Sequence, residues 1–373
     1  MRYATFAPET KTTFKVCILI PQINKAEILK TYIEPYGLEP EEVLILDLHQ
    51  AEGKKKTPAA EMKQYITDEL TETLLDCAVE YLIVADADYF KTLTKQAQAE
   101  KNLGYVLDCN TYGPWKAVYV PNHKAIFYDP DKVKAKIHQG MTALVEYASG
   151  SYEVPGTTVI KYAAYPSDPA EIEQWLEKLL EYPALSADIE GFSLKHHTCG
   201  IGTISFAWNQ HEGIAFAVDL GPGGERVRLA LKNFFIKYEG RMMWHHIAFD
   251  VYVLIYQLFM EHILDNEGLL NGLEIMLKNW HCTKLITYLA TNSCAGNKLG
   301  LKDNAQEFAG NYAVDEIKDI TKIPLPQLLE YNLIDSLSTW FVFDKNYPKM
   351  VADDQLDIYE NFFQPATVDI IQM

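Results

Sequence analysis

Three short acidic motifs carry the residues of this sequence that could do chemistry. The first is Asp188-Ile189-Glu190, which ends an apolar run and is followed by Gly191. On a strand, side chains two residues apart point to the same face, so the two carboxylates would project together. Such carboxylates repel each other unless a cation neutralises them, and their hard oxygen atoms suit Mg²⁺ or Mn²⁺. Taken alone the motif also fits an exposed acidic strand end, because a chain with 51 Asp and Glu residues contains such triplets by chance.

The second motif ends at Asp250 and has the sequence WHHIAFD. It lies between a short apolar lead-in, RMMW, and a predicted helix over 251–260. A carboxylate at such a strand-to-helix junction is stabilised by the positive end of the helix dipole. Asp250 could therefore be a metal ligand or an ordinary charge at a helix N-terminus.

The third motif places Tyr331 four residues before Asp335 on a predicted long helix. This spacing puts the two side chains on one helix face. The carboxylate could supply another metal ligand, and the phenol could orient a water for in-line attack. An amphipathic helix with a packed tyrosine and a solvated aspartate explains the third motif equally well when it is considered alone.

The order and distances of the three motifs together resemble the DEDD exonuclease superfamily in its Tyr-bearing form. The likeness is closest to the proofreading domain of bacteriophage and bacterial family A DNA polymerases. It covers about 157–359 and includes the segments HCT at 281–283 and LGLK at 299–302. The resemblance implies an RNase H-like fold with a mixed sheet. It also implies 3′-to-5′ hydrolysis of DNA ends with release of nucleoside monophosphates.

Residue roles follow from the resemblance. It implies that Asp188, Glu190 and Asp335 hold one divalent ion, Mg²⁺ or Mn²⁺, and that Asp188 and Asp250 hold a second. Tyr331 would position the nucleophile. The implied partner is the 3′ end of single-stranded DNA, and the residues expected to contact it are Ile189, His246 and Phe249.

Two positions depart from the family pattern. His246 stands where Asn is usual, and Cys282 stands where Asp is usual before Thr283. His246 can still donate a hydrogen bond, so these departures bear on substrate positioning more than on metal binding.

The elements that must position the motifs fall into two predicted α/β domains. Over 1–155 we expect a βαβ domain with a largely parallel, Rossmann-like sheet. Its β-rich runs are 15–21, 43–49, 81–85, 115–121 and 124–128, and a helix is predicted from Pro130 to about Ser149. Over 156–352 we expect a short strand at 157–162, a helix capped by Asp168, an antiparallel meander within 184–220 and mostly helices from 226 onward.

The N-terminal domain faintly resembles the C-terminal half of uracil-DNA glycosylases, on its strand order and on the run AVYVPNHK at 117–124. Those enzymes need a glycine-rich, acid-containing loop after the first strand to bind a flipped uracil. Here that loop reads PQINK, without glycine or acid. We therefore expect an inactive relative, or another βαβ domain, that docks on the polymerase or a partner.

The net charge, the lack of a membrane segment and the C-terminal run 353–373 lead to three further expectations. The formal net charge of −18 argues against a protein that coats long duplexes, but it allows one that binds a few nucleotides at a strand end. No membrane segment or signal peptide is visible, so we expect a soluble, cytoplasmic protein, in the host cell if viral. The run 353–373 resembles the start of the connection into a polymerase domain, as in a fragment or a split polymerase.

Two other functions fit the same residues. An RNase D-like exoribonuclease shares the three motifs, although such proteins usually continue into a helical domain. A degenerate exonuclease kept as a scaffold is the non-enzymatic alternative, and the presence of all the acidic positions argues against it.

Overall fold

The chain divides into two units, Met1–Pro155 and Gly156–Met373. The structure is a computed structural model that describes residues 1–51, 53, 56–291, 298–312 and 319–373. Across those ranges, no helix combines the length and the apolar character needed to span a membrane. The described cysteines are all free thiols: Cys17, Cys77, Cys109, Cys199 and Cys282.

The first unit is built on a six-stranded sheet. Its strands are β1 (Tyr3–Thr5), β2 (Val16–Ile20), β3 (Val43–Asp47), β4 (Tyr81–Val84), β5 (Leu107–Asp108) and β6 (Lys116–Tyr119). They lie in the order β1-β3-β2-β4-β6-β5, with parallel pairing from β3 through β6 and antiparallel edges at β1 and β5. The helices are α1 (Lys25–Ile28), α2 (Ala59–Tyr65), α3 (Thr71–Asp76), α4 (Ala87–Thr94) and α5 (Pro130–Ser149).

The largely parallel sheet of the first unit is as expected, because its central strands are apolar throughout and buried on both faces. One expected strand is wrong. The run 124–128 lies within and just after a short 3-10 helix, His123–Phe127, instead of a strand. The side chain of Asn122 accepts a hydrogen bond from the backbone N–H of Lys124 at 3.0 Å, which starts this helical turn directly after β6.

The second unit contains a second six-stranded sheet. Its strands are β7 (Tyr162–Ala164), β8 (Ala184–Glu190), β9 (Thr203–Ala207), β10 (Glu212–Ala217), β11 (Arg241–Trp244) and β12 (Trp280–Cys282). Its described helices are α6 (Pro169–Leu179), α7 (His196–Cys199), α8 (Gly224–Lys237), α9 (Ile247–Phe259), α10 (Asn266–Met276), α11 (Thr283–Ala290), α12 (Leu301–Ala309), α13 (Leu325–Ala352), α14 (Leu356–Ile358) and α15 (Gln364–Gln372).

The sheet of the second unit is mixed, as the resemblance implied. Its order is β12-β11-β8-β9-β10-β7, and β9 runs antiparallel to both β8 and β10 while β11 runs parallel to β8 and β12. The antiparallel meander is thus confirmed. The strand expected at 157–162 is wrong in position, because only Tyr162–Ala164 pairs, parallel to β10. This arrangement leaves β8 in the middle of the sheet.

Helices cover both faces of this sheet. One face packs on α6, α8 and α9 through a large apolar core that includes Phe206, Phe216 and Phe234. Helix α13 lies across β8, β9 and β10 on the other face. Its approach requires glycine at Gly213, where an added Cβ would lie 2.5 Å from the Phe206 carbonyl oxygen and 2.6 Å from Leu333 Cδ1.

The C-terminal run 353–373 belongs to the second unit. The Tyr359 side chain is fully buried, and its hydroxyl accepts a hydrogen bond from the backbone N–H of Cys282 at 3.0 Å. Gln364 donates to the Trp280 carbonyl at 2.8 Å. Both contacts hold this run against strand β12.

Candidate active site

Strand β8 presents two carboxylates on one face of the sheet. Asp188 and Glu190 alternate with Ala187 and Ile189, and the latter two pack in the apolar core on the opposite face. Ile189 is 6% exposed. The acids of the first motif therefore share the face that α13 covers, as their spacing predicted, and Ile189 could meet a substrate only through its backbone.

Helix α9 adds a third carboxylate. Strand β11 ends at Trp244 and α9 begins at Ile247, four residues earlier than predicted. Asp250 therefore lies in the first turn of the helix, close to the strand-to-helix junction where it was expected. The Asp250 side chain is buried, and the backbone N–H of Ile189 lies close enough to act on its pKa. This contact joins the start of α9 to the end of β8.

Helix α13 brings the fourth carboxylate. Asp335 is buried, and its carboxylate lies with those of Asp188 and Glu190 in a group whose potential ligand atoms are all within 4.8 Å of one another. Asp250 lies outside this group of three but is close enough for its charge to act on Asp188. Four carboxylates from three separate elements therefore converge at one place.

The electrostatics of the group favour a bound cation or proton. Burial, followed by the charges of Asp335, Asp250 and Glu190, holds the pKa of Asp188 well above its usual range. Burial raises the pKa of Glu190 to about 8 and that of Asp335 to about 6. Burial and the Glu190 charge likewise raise the pKa of Asp250. An all-oxygen donor set whose ionised form is this unfavourable fits a hard divalent cation such as Mg²⁺ or Mn²⁺.

A seam of buried polar side chains fixes α13 on the sheet. Asn332 donates a hydrogen bond to the Asp188 carboxylate at 2.8 Å and accepts one from the Thr203 hydroxyl at 2.9 Å. The Ser205 hydroxyl donates to the Asn332 carbonyl at 2.7 Å, and the Ser186 hydroxyl donates to the Ser336 carbonyl at 2.7 Å. Sequence reasoning missed Asn332, although a polar residue facing inward between Tyr331 and Asp335 was a visible signal.

Two tyrosines and a lysine border the carboxylates. The Lys302 ammonium donates a hydrogen bond to the Tyr331 hydroxyl, and its charge lowers the pKa of Asp335 and of Glu190. The Tyr312 hydroxyl donates to the Asp335 carboxylate. Tyr331 shares a face of α13 with Asp335, as the spacing predicted, and its phenol contacts Lys302. Tyr312 was not anticipated.

Comparison with known proteins adds structural likenesses. No family model matches the chain, and no curated protein matches it. A nuclease in its apo form is 17% identical over 57% of this chain and 92% of its own, with a TM-score of 0.41. Brucella melitensis NrnC bound to pGG is 14% identical over 56% of this chain and 90% of its own, with a TM-score of 0.39. Trypanosoma brucei RNase D in complex with RNA U12 is 14% identical over 58% of this chain and 73% of its own, with a TM-score of 0.41. Likeness of this degree transfers neither activity nor substrate, so the function is inferred from the site.

The local backbone accounts for the histidine that departs from the family pattern. His246 caps α9 with a left-handed backbone, φ +62°. Asn, Asp and His are the non-glycine residues most enriched in that conformation. His246 is therefore compatible with the backbone that the position requires, and its side chain is exposed.

The other departure, Cys282, and the substrate candidate Phe249 are less exposed than His246. The Cys282 side chain is 2% exposed, and burial raises the pKa of its thiol. Phe249 is half-buried with its ring 5.5 Å from that of His196. Burial lowers the pKa of the neighbouring His245 to about 4, so this imidazole is neutral and donates to the Leu299 carbonyl at 3.0 Å.

Proposed function

We propose that the second unit is a metal-dependent 3′-to-5′ exonuclease that releases nucleoside monophosphates from single-stranded DNA ends. The observation that carries this proposal is the convergence of Asp188, Glu190, Asp250 and Asp335 from β8, α9 and α13. No single element explains four carboxylates at one point, two of them buried and two half-buried, and bound cations would stabilise their ionised forms together.

Two divalent ions, Mg²⁺ or Mn²⁺, would occupy the site. Asp188, Glu190 and Asp335 would hold one, and Asp188 with Asp250 would hold the other. Bound ions of this kind promote ionisation of the attacking water and neutralise charge on the leaving 3′ oxygen.

The chain's own residues position the reactants. Asn332 holds the Asp188 carboxylate, and Lys302 holds the Tyr331 phenol. In the proposed mechanism the Tyr331 hydroxyl orients the attacking water. This contact fixes the direction in which the water approaches the scissile bond. The positive charge of Lys302 lies near Glu190 and Asp335 and favours their ionised forms, in which they bind cations.

The surface beside the carboxylates is suited to binding the 3′ end of a single-stranded nucleic acid. Phe192 and Leu194, which directly follow β8, are 42% and 87% exposed. Apolar and aromatic side chains at such positions can pack on nucleobases without reading sequence. We propose that they act with His246, Phe249 and the backbone of Ile189, so that the bases at the strand end are held by packing despite the acidic net charge.

The biological setting is also a proposal. The resemblance in the sequence favours a proofreading role beside a family A polymerase domain or subunit, with the first unit as an inactive docking domain. In the loop after β2, the Asn24 side chain caps α1 and Gln22 accepts from Lys124. Neither side chain is a carboxylate that could activate a water, which supports the inactive interpretation.

The experiment compares variants on matched oligonucleotides. The full chain is incubated with 5′-labelled single-stranded DNA and RNA of the same sequence, with Mg²⁺, Mn²⁺ or EDTA. We expect a ladder shortened from the 3′ end of DNA, no cleavage in EDTA, and no cleavage by Asp188→Ala. Tyr331→Phe should retain metal binding and lose ~10²-fold in rate, because only a positioning contact is removed.

Glu225→Ala is the matched control, because Glu225 is an exposed acid on α8. It should cleave at the wild-type rate. Cleavage that persists in EDTA, or an active Asp188→Ala, would overturn the proposal. Cleavage of RNA in preference to DNA would retain the exonuclease and replace the proofreading role with an RNase D-like one.

A further inference from the structure

Tyr312 contacts a proposed metal ligand from outside the three motifs. It follows α12, and its hydroxyl donates a hydrogen bond to Asp335 Oδ1 on α13. Its ring lies 5.8 Å from the Tyr331 ring at an interplanar angle of 52°. The Lys302 ammonium lies 5.8 Å from the Tyr312 ring centroid and 4.4 Å from that of Tyr331. Two tyrosines thus approach the same lysine with different hydroxyl partners.

The two hydroxyls cannot serve the same purpose. The Tyr331 hydroxyl accepts from Lys302 and keeps its own proton available, whereas the Tyr312 proton is directed to Asp335 Oδ1. An aspartate side chain can rotate about two bonds, so a donor on one oxygen fixes where the other points. A hydrogen bond to an ionised acceptor is also stronger than one between neutral groups.

We propose that Tyr312 is a positioning residue that orients the Asp335 carboxylate for metal binding, while Tyr331 acts on the attacking water. This inference rests on the proposed function of the site. It predicts different consequences for two chemically identical substitutions, Tyr312→Phe and Tyr331→Phe. The first should weaken metal binding, and the second should lower the rate with metal bound.

The test is a titration with Mn²⁺ followed by electron paramagnetic resonance of the full chain, with cleavage rates measured over the same Mn²⁺ range. We expect Tyr312→Phe to raise the dissociation constant for Mn²⁺ about tenfold, the effect of one lost hydrogen bond. Its cleavage rate should return towards the wild-type maximum at high Mn²⁺. Tyr331→Phe should bind Mn²⁺ normally and remain slow at every concentration.

The matched control is Tyr238→Phe. Tyr238 is a tyrosine of the second unit that is more buried than Tyr312, and its hydroxyl donates to the backbone carbonyls of Tyr182 and Arg241 at 3.2 and 3.3 Å. Its loss should lower stability without changing Mn²⁺ affinity. A change in Mn²⁺ affinity equal to that of Tyr312→Phe would mean that loss of stability alone explains the effect.

A second variant separates orientation from folding. Asp335→Asn removes the acceptor charge, so Tyr312→Phe should change Mn²⁺ affinity no further in that background. In the Tyr312→Phe single variant the buried Asp335 charge loses its hydrogen-bond donor, which could unfold the protein. Asp335→Asn removes that charge, so Asp335→Asn can still be compared with the double variant Asp335→Asn/Tyr312→Phe if the single variant Tyr312→Phe unfolds.

Wild-type Mn²⁺ affinity in Tyr312→Phe, or an undiminished effect in the Asp335→Asn background, would overturn the positioning role. A wild-type chain that cleaves nothing, with Mn²⁺ affinity still dependent on Tyr312, would instead overturn the proposed exonuclease.

Discussion

Replacing Glu190 by glutamine should make the metal-free protein more stable while abolishing its nuclease activity. Burial raises the pKa of the Glu190 carboxyl from 4.5 to about 8. The folded state therefore holds this proton more tightly than the unfolded state, and stability falls as pH rises through that interval. Glutamine keeps the shape of the side chain but does not ionise, so it removes this penalty.

The magnitude follows from the pKa. At about 1.4 kcal/mol per pH unit, the interval from 4.5 to about 8 corresponds to about 5 kcal/mol for a carboxyl without solvent access. Glu190 is half-buried, and an amide must also lose water, so we expect Glu190→Gln to gain about 2 kcal/mol near pH 8. In a unit of this size that gain corresponds to a melting temperature higher by about 4–8 °C. Near pH 5 the gain should largely disappear.

The assay is thermal unfolding in EDTA at both pH values, followed by tryptophan fluorescence. Five of the six tryptophans lie in the second unit, so the signal reports chiefly on the unit that contains Glu190. Mg²⁺ should restore wild-type stability near pH 8, because it binds the ionised carboxylates.

Glu212→Gln is the control, because the pKa of Glu212 is shifted in the direction opposite to that of Glu190. Hydrogen bonds from Trp208 and Asn209 hold the pKa of Glu212 below its usual range, so this variant should gain nothing. If Glu190→Gln is no more stable than the wild type near pH 8 in EDTA, the electrostatic account of the site is refuted.

Two further predictions concern the backbone that supports the site. His246→Asn should keep the wild-type melting temperature, whereas His246→Val should lose about 1–3 kcal/mol in urea unfolding, because a β-branched residue is strained at φ +62°. Equal stability of the two variants would contradict this. Gly213→Ala should lose about 1–3 kcal/mol, because the new Cβ would lie 2.5 Å from the Phe206 carbonyl and 2.6 Å from Leu333. Calorimetry would measure this loss, and a wild-type melting temperature for Gly213→Ala would contradict the steric argument.

The sequence predicted those features of the site that depend on local periodicity. Alternation placed Asp188 and Glu190 on one face of a strand, and a spacing of four placed Tyr331 and Asp335 on one face of α13. Both predictions hold because side-chain direction is a property of the regular backbone. The strand predicted at 124–128 was wrong, because a run of five residues that mixes polar and apolar side chains fits a strand and a helical turn equally well.

Contacts between distant residues were beyond the sequence. Tyr312 meets Asp335 across 23 positions, and Asn332 meets Asp188 across 144. Strand β1 pairs with β3, which lies far along the chain, and its three residues carry no strong pattern. Such contacts depend on how whole elements pack, and no short motif encodes that packing.

The polar seam beneath α13 has a consequence for how the site is assembled. An apolar interface tolerates small shifts of a helix along its axis. Here a shift of one turn, about 5.4 Å, would separate Asn332, Ser205 and Ser186 from their hydrogen-bond partners. Each buried polar group left unpaired would cost about 1–3 kcal/mol. Helix α13 therefore has one permitted register, and Asp335 is preorganised opposite β8 by folding alone. Ion binding then needs little backbone movement, and adaptation to a new substrate is left to the loops that border the carboxylates.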